Sequence, residues 1–263
     1  MAVEPQSQLV TVIIPTFNPG NALARCVSSI MNQSYQNIEV IVVDKYSADG
    51  SLKNLEREPV RVVPWPSKMA GARNQGAAVS RGEFFVHIDA DMELTEHVLA
   101  ECVTLALEEG ADAVIIPEVS AGENYWTKCL GLNKALALAM SGHEAARFYL
   151  RKAFDALGGF DPALEAGEDF DLHFRAEDKG LKIGRIKSPI IHHLGNMKFS
   201  SMVDKFHYYG QTVDEFRKKH HQRFEKGPAY PSLVLRRWRI LAGDPIHAIG
   251  FFALSLIAFV AQK

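Results

Sequence analysis

Apolar residues follow two rhythms along this chain. Short runs of aliphatic and β-branched residues at 9–14 (LVTVII), Ile38–Val43, Val60–Val63, Phe85–Ile88 and 112–116 (DAVII) have the length and composition of buried strands. Between them, apolar residues return every three or four positions. Leu23, Val27, Ile30 and Met31 make one face of a helix entered at Asn21, and Val98, Cys102, Leu105 and Ala106 do the same within 95–109. Pro15 is expected to stop the first strand, and a helix is expected from Ser51. Lys68–Arg81, rich in Ala and Gly, reads as a helix ended by Gly82. Strands alternating with helices predict a mostly parallel sheet covered on both faces.

The second half is less regular. Helices are expected over 124–140, 151–157 and about 200–219, with short strands at Phe148–Leu150 and 181–187 and an extended segment at 189–193. In 167–180 (GEDFDLHFRAEDKG), Phe170, Leu172 and Phe174 alternate as in a strand. The acids at its start, the Asp171/Arg175 spacing and Gly180 at the end outweigh that alternation and predict a helix.

Composition narrows the function. At 263 residues and 47% hydrophobic, the chain can bury a large core, and a net charge of −2 offers nucleic acid no electrostatic footprint. Three cysteines without a CxxC read as buried thiols of a reducing compartment, and the polar N-terminus has no apolar leader.

The chemistry is concentrated where the strand Phe85–Ile88 delivers Asp89 and Asp91. Ligands of open α/β sheets bind beyond the carboxyl ends of the strands. Two carboxylates one residue apart there repel unless a cation or sugar hydroxyls lie between them. Such hard oxygens suit Mg²⁺ or Mn²⁺ held together with substrate phosphates. Arg73, early in its helix, could hold a phosphate bidentately.

The ordered set VIIPTFN (12–18), IEVIVVD (38–44), GARNQGA (71–77), FVHIDADM (85–92), GGFD (158–161) and GEDFDL (167–172) resembles family 2 glycosyltransferases. That resemblance implies a GT-A fold, a Rossmann-like, mostly parallel central sheet flanked by helices. It also implies inverting transfer of a sugar from a nucleotide-diphosphate donor, with Mn²⁺ or Mg²⁺ as cofactor. On it, Pro15, Thr16 and Phe17 border the nucleobase, Asp44 accepts from the base's ring N–H, and Arg73 lies near the nucleotide. Asp89 approaches the ribose and Asp91 ligates the metal, with Asp89 and His193 as further ligand candidates. Asp169 is the general base, beside Glu168. Gly159, Tyr125 and Trp126 fall on the acceptor side.

Two departures stand out. Asp44 is followed by Lys45-Tyr46-Ser47 where the family commonly has D-D-G-S, and the Q-x-x-R-W of processive synthases is absent, which favours single additions. The expected organisation is a catalytic domain over 1–195, with a nucleotide-binding half at 9–117 and an acceptor-binding half at 118–195. A helical extension at 196–263 ends in an apolar tail, 246–261. Sixteen apolar residues are short of the roughly 20 that cross a bilayer, yet Arg236-Arg237-Trp238-Arg239 stands just before them. The tail is therefore expected to lie in a cytoplasmic membrane face, to pack on protein or a dimer partner, or to span. Membrane contact fits a glycan or polyprenyl-linked acceptor. Nucleotidyl transfer and a non-catalytic sugar-nucleotide-binding protein are the competing classes.

Overall fold

The computed structural model describes residues 8–138, 144–225 and 238–261. In chain order these form β1 (Val10–Thr16), α1 (Ala22–Met31), β2 (Ile38–Asp44), a 3₁₀ turn (Ser51–Leu55), β3 (Val60–Pro64), α2 (Met69–Val79), β4 (Phe84–His87), β5 (Met92–Leu94), α3 (Val98–Glu108) and β6 (Ala113–Ile115). There follow β7 (Glu118–Gly122), α4 (Tyr125–Leu138), β8 (Ala146–Leu150), α5 (Arg151–Leu157), α6 (Glu168–Asp178), β9 (Ile183–Arg185) and β10 (Ile190–Gly195). Helices α7 (Phe199–Thr212), α8 (Asp214–Lys219), α9 (His221–Glu225), α10 (Trp238–Gly243) and α11 (Pro245–Ala261) complete the described chain.

Contacts divide these elements into two compact units. The first runs through Pro117 and adds Ala145–Ala163 and Glu168–Ile191; the second holds Glu118–Glu144, Leu164–Gly167 and the chain from His192 onward. The first unit carries a seven-stranded sheet, ordered β3-β2-β1-β4-β8-β6-β9. β8 runs antiparallel to β4 and β6; the other pairings are parallel. Strand alternation feeds two cores. Val10, Val12 and Ile14 bury with α1 and α3 on one face, and Ile13, Ile41, Val43 and Phe85 bury with α2, α5 and α6 on the other. Gly76 lets α2 lie against β1, because a Cβ there would stand 2.4 Å from Ile13 Cγ2.

Several boundaries differ from the expectation. Pro15 does not stop β1, which runs on to Thr16. β4 pairs with β1 only through Ile13, so one flank of β1 is already unpaired at Pro15, where proline is tolerated. Asn21 sits at the N-cap of α1 but makes no side-chain cap. α2 ends at Val79 because Ser80 is extended, while Gly82 packs on Thr11, whose Oγ1 accepts its N–H at 3.0 Å. The helix expected near 200–219 breaks after Thr212, and the one from Ser51 is a single 3₁₀ turn. All three cysteines are buried free thiols.

In the second unit β7 and β10 are neighbours in a small sheet. Leu132 and Leu136 of α4 pack with Leu241 of α10 and with Ala248 and Phe251 of α11. No helix among the described residues is long and apolar enough to cross a membrane. Arg236 and Arg237 lie outside the described residues.

Candidate active site

Two strand ends flanking β1 build the site. At the first, Asp44 closes β2 beside Thr16, and Lys45 N donates to the Thr16 carbonyl at 2.9 Å. Asp44 is buried. Its Oδ2 accepts from Ser47 N at 2.8 Å and its Oδ1 from Ser47 Oγ at 2.5 Å. The loop after β1 is stitched to this one: Asn18 N donates to Ser47 Oγ at 2.8 Å, Ala48 N to Asn18 Oδ1 at 2.9 Å and Gly20 N to Asp49 Oδ2 at 2.7 Å. Asn18 and Tyr46 hold left-handed backbone (φ 46° and 56°), a conformation that costs energy and concentrates at functional loops. Phe17 is 60% exposed with the Lys45 ammonium 5.7 Å from its ring, and Thr16 Oγ1 is buried without a partner. An aromatic face with polar groups at its edge is a shelf for a flat heterocycle.

At the second, β4 ends below Asp89. Arg73, buried on α2, donates from Nη2 to Asp89 Oδ1 at 2.8 Å and from Nη1 to Glu168 Oε1 at 2.5 Å. Arg147 Nη1 of β8 lies 3.6 Å from Asp89 Oδ2. Burial alone would raise the Asp89 carboxyl, but Arg73 and Arg147 overcome it and hold the group well below the ordinary range. Burial drives His87 well down, and the guanidinium groups of Arg73 and Arg147 add to it, so its imidazole is neutral. Burial also raises Glu168, with Asp169 adding to it against the pull of Arg73. Phe160 lies under the Arg73 guanidinium at 5.3 Å and meets the His87 ring edge-on at 5.0 Å.

The GGFD turn places α6 beside this strand end. Asn74 donates to the Phe160 carbonyl at 2.8 Å and accepts from Phe160 N at 2.9 Å. Gly159 adopts φ +73°, and a Cβ there would stand 2.7 Å from Asn74 Oδ1, so only glycine suits the position. Arg175 bonds the Leu157 and Gly159 carbonyls at 2.6 and 2.7 Å and pairs with buried Asp171 at 2.8 Å. The expected i,i+4 pair thus also anchors the turn.

The structure brings Arg73, Asp89, Glu168 and Asp169 together. Arg73 does not reach out as a phosphate clamp, since both terminal nitrogens are committed to carboxylates. Glu168 is held by Arg73, which leaves partly exposed Asp169 as the acid at the head of α6. Asp91 is partly exposed beyond a turn closed by Met92 N donating to the Asp89 carbonyl at 3.0 Å. Asp91 can therefore give a hard oxygen to a cation, whereas Asp89 faces two guanidinium groups and is the poorer ligand. Among the described residues no three His, Cys, Asp or Glu are gathered as a ready cage. A divalent ion here would take most of its ligands from phosphate and water, the usual manner of Mg²⁺.

Other named residues lie in the second unit. His192 Nδ1 pairs with Glu118 Oε1 at 2.7 Å, and alternation along β10 points His193 to the opposite face. Tyr125 donates from its hydroxyl to the Ile246 carbonyl at 3.0 Å, and Trp126 packs on Phe199 at 4.7 Å. Sequence reasoning missed Arg147 and His87. The signal was present: a charged residue within a buried strand such as ARFYL needs a buried partner.

The family model described as glycosyl transferase family 2 matches residues 11–157, more than half of the chain. Glycosyltransferase GlyG of Streptococcus pneumoniae serotype 4 is 35% identical over 116 residues, 41% of this chain; the chain spans only 38% of GlyG. Mannosyltransferase PcManGT from Pyrobaculum calidifontis, solved with GDP-Man and Mn²⁺, is 20% identical with a TM-score of 0.57, over 97% of this chain and 76% of that one. S. aureus TarS 1–349, solved with UDP-GlcNAc, is 18% identical with a TM-score of 0.57, over 79% and 66%. At such identities the likeness shows the fold, which is GT-A.

Proposed function

The chain belongs to glycosyl transferase family 2, and on that premise we propose that it moves one sugar from a nucleotide-diphosphate donor to an acceptor hydroxyl with inversion. The acceptor is a glycan or a polyprenyl-linked carrier. The observation that carries this reading is the pairing of Arg73 with both Asp89 and Glu168, which ties the β4 end to the head of α6. In-line displacement needs a carboxylate facing the leaving group across the sugar. Asp169 takes the acceptor's proton as the acceptor oxygen bonds to the anomeric carbon and the carbon–oxygen bond to the diphosphate breaks. Glu168, committed to Arg73, positions Asp169. Phe17, Thr16 and Asp44 receive the base, and Asp89 lies toward the ribose. Asp91 would hold Mg²⁺ or Mn²⁺ with the diphosphate oxygens; when bound, the ion neutralises charge gathering on the leaving diphosphate. The donors in the TarS and PcManGT structures, UDP-GlcNAc and GDP-Man, support the donor class without choosing within it.

Calorimetric titration with UDP and GDP, with and without Mn²⁺, tests the site. The expected result is metal-dependent binding that Asp91→Asn weakens. Asp169→Asn should bind the nucleotide as before and lose transfer by roughly a hundredfold or more, the scale of general base catalysis. Undiminished turnover in Asp169→Asn would remove the base assignment. No nucleotide binding at all would favour a non-catalytic role, and diphosphate release from a nucleoside triphosphate would favour nucleotidyl transfer.

A further inference from the structure

α11 has two apolar faces, and the protein uses only one. Ala248, Phe251 and Leu254 are buried against Leu132, Leu136 and Leu241 and against Cys129 and Met202. The contact with α4 is close, since a Cβ at Gly250 would meet Cys129 Sγ at 2.4 Å. Around the helix from these, Ile246, Ile249, Phe252 and Leu256 are 67, 73, 53 and 63% exposed. At 3.6 residues per turn the four fall within about 120° of the circumference, a continuous stripe roughly opposite the buried one. Pro245–Ala261 contains no Asp, Glu, Lys or Arg. Just before it the sequence reads Arg236-Arg237-Trp238-Arg239, and Trp238 is 58% exposed.

We infer that the exposed stripe of α11 seats in the surface of an anionic lipid bilayer, the helix lying along the interface with Trp238 and Arg239 at the headgroups. Two observations choose a bilayer over a second copy of the chain. The stripe carries no polar group that would fix a register against a protein, whereas lipid tails require none. Exposed Arg239 stands beside exposed Trp238 just ahead of the helix, the pairing that membrane–water interfaces favour, and the sequence adds two more arginines there. One face of α11 is buried on α4 and α10, so the helix meets the bilayer side-on, along its exposed stripe. Interfacial helices normally turn a charged face to water; here protein covers that face instead. This stands apart from the sugar-transfer reading and survives its failure.

Flotation of the full chain with vesicles provides the test. The expected result is co-flotation with phosphatidylcholine containing phosphatidylglycerol, weaker co-flotation with phosphatidylcholine alone, and loss of the difference at high salt. Ile249→Glu with Phe252→Glu should lower partitioning by roughly tenfold or more, because each residue otherwise buries a large apolar side chain. Arg237→Gln with Arg239→Gln leaves the packed face of α11 unchanged and should remove only the preference for anionic vesicles. Wild-type chain that stays at the bottom with both vesicle types overturns the proposal. So does a dimer in sedimentation equilibrium that Ile249→Glu dissociates without any vesicle binding, which would give the stripe to a second copy.

Discussion

Asp44 closes β2 and Asp89 follows two residues after β4, the two strands that flank β1, and their surroundings could hardly differ more. Asp44 is satisfied by Ser47, three residues on, through a backbone amide and a hydroxyl. Asp89 accepts a hydrogen bond from Arg73 of α2 at 2.8 Å and has the Arg147 guanidinium of β8 at 3.6 Å, elements that only the finished sheet brings near it. The first arrangement belongs to its loop, and the second belongs to the fold. A carboxylate held by neutral local donors can shape a binding surface at small cost. One held by buried cations joins its strand end to α2 and β8, and through Arg73 to α6, so changing it disturbs the framework and the site at once.

The sharpest way to break this contrast is to remove Arg73. Arg73→Met keeps much of the side-chain volume but leaves the Asp89 and Glu168 carboxylates facing each other across a site that had one guanidinium between them. Removing one partner of a buried ion pair typically costs about 3–5 kcal/mol. For a domain of this size that lowers Tm on the order of 10 °C, readable by calorimetry. If Arg73→Met melted with the wild type, the network would be a surface decoration and Asp89 no different in kind from Asp44.

The same contrast explains what could be read from the sequence. The strands ending at Asp44 and Asp89, and the helix from Glu168, follow from short-range periodicity, local charge and glycine placement, all of which sit in neighbouring residues. Asp44 lies three residues from its partner. The Arg73–Glu168 pair spans 95 residues and depends on α6 arriving beside α2, which no local pattern encodes. Arg147 differs, because its signal is local: a strand expected at Phe148–Leu150 begins one residue too late to include it, whereas β8 starts at Ala146 and buries the charge. The fate of Arg73 shows the reverse error. A helix-borne arginine facing the strand ends reads as a phosphate ligand only while its carboxylate partners remain unseen.

Titration separates the two carboxylates that Arg73 joins. The Asp89 pKa is depressed in the folded protein, so its contribution is complete above the unfolded value near 3.9 and is lost as the pH falls through the lower folded value. The stability gap between wild type and Asp89→Asn, about 2–3 kcal/mol for hydrogen bonds to charged groups, should be flat at neutral pH and close only below about pH 4. Glu168 has the opposite sign. Its folded pKa is raised, so its contribution is present below the unfolded value of 4.5 and is lost as the pH rises through the folded one. Glu168→Gln should therefore gain on the wild type as the pH rises. Thermal melts across acid and neutral buffers would show the two gaps moving oppositely; parallel curves would mean the two acids share one environment.

Ser47→Ala should have the smallest effect and is the finest test. It removes one hydroxyl that donates to Asp44 Oδ1 and accepts from Asn18 N, while the Ser47 amide still holds Asp44 Oδ2. The expected loss is about 1 kcal/mol, together with weaker nucleotide binding because the Phe17–Lys45 shelf loses its brace. Combined with Arg73→Met, the two losses should add within about 0.5 kcal/mol, since the two sites share no hydrogen-bonding partner. Additivity would mean that the base-side loop and the ion-pair network are separately tunable parts of one cleft. A coupling well above that limit would mean that β1 transmits strain between the two strand ends, and the division between a local and a framework carboxylate would fail there.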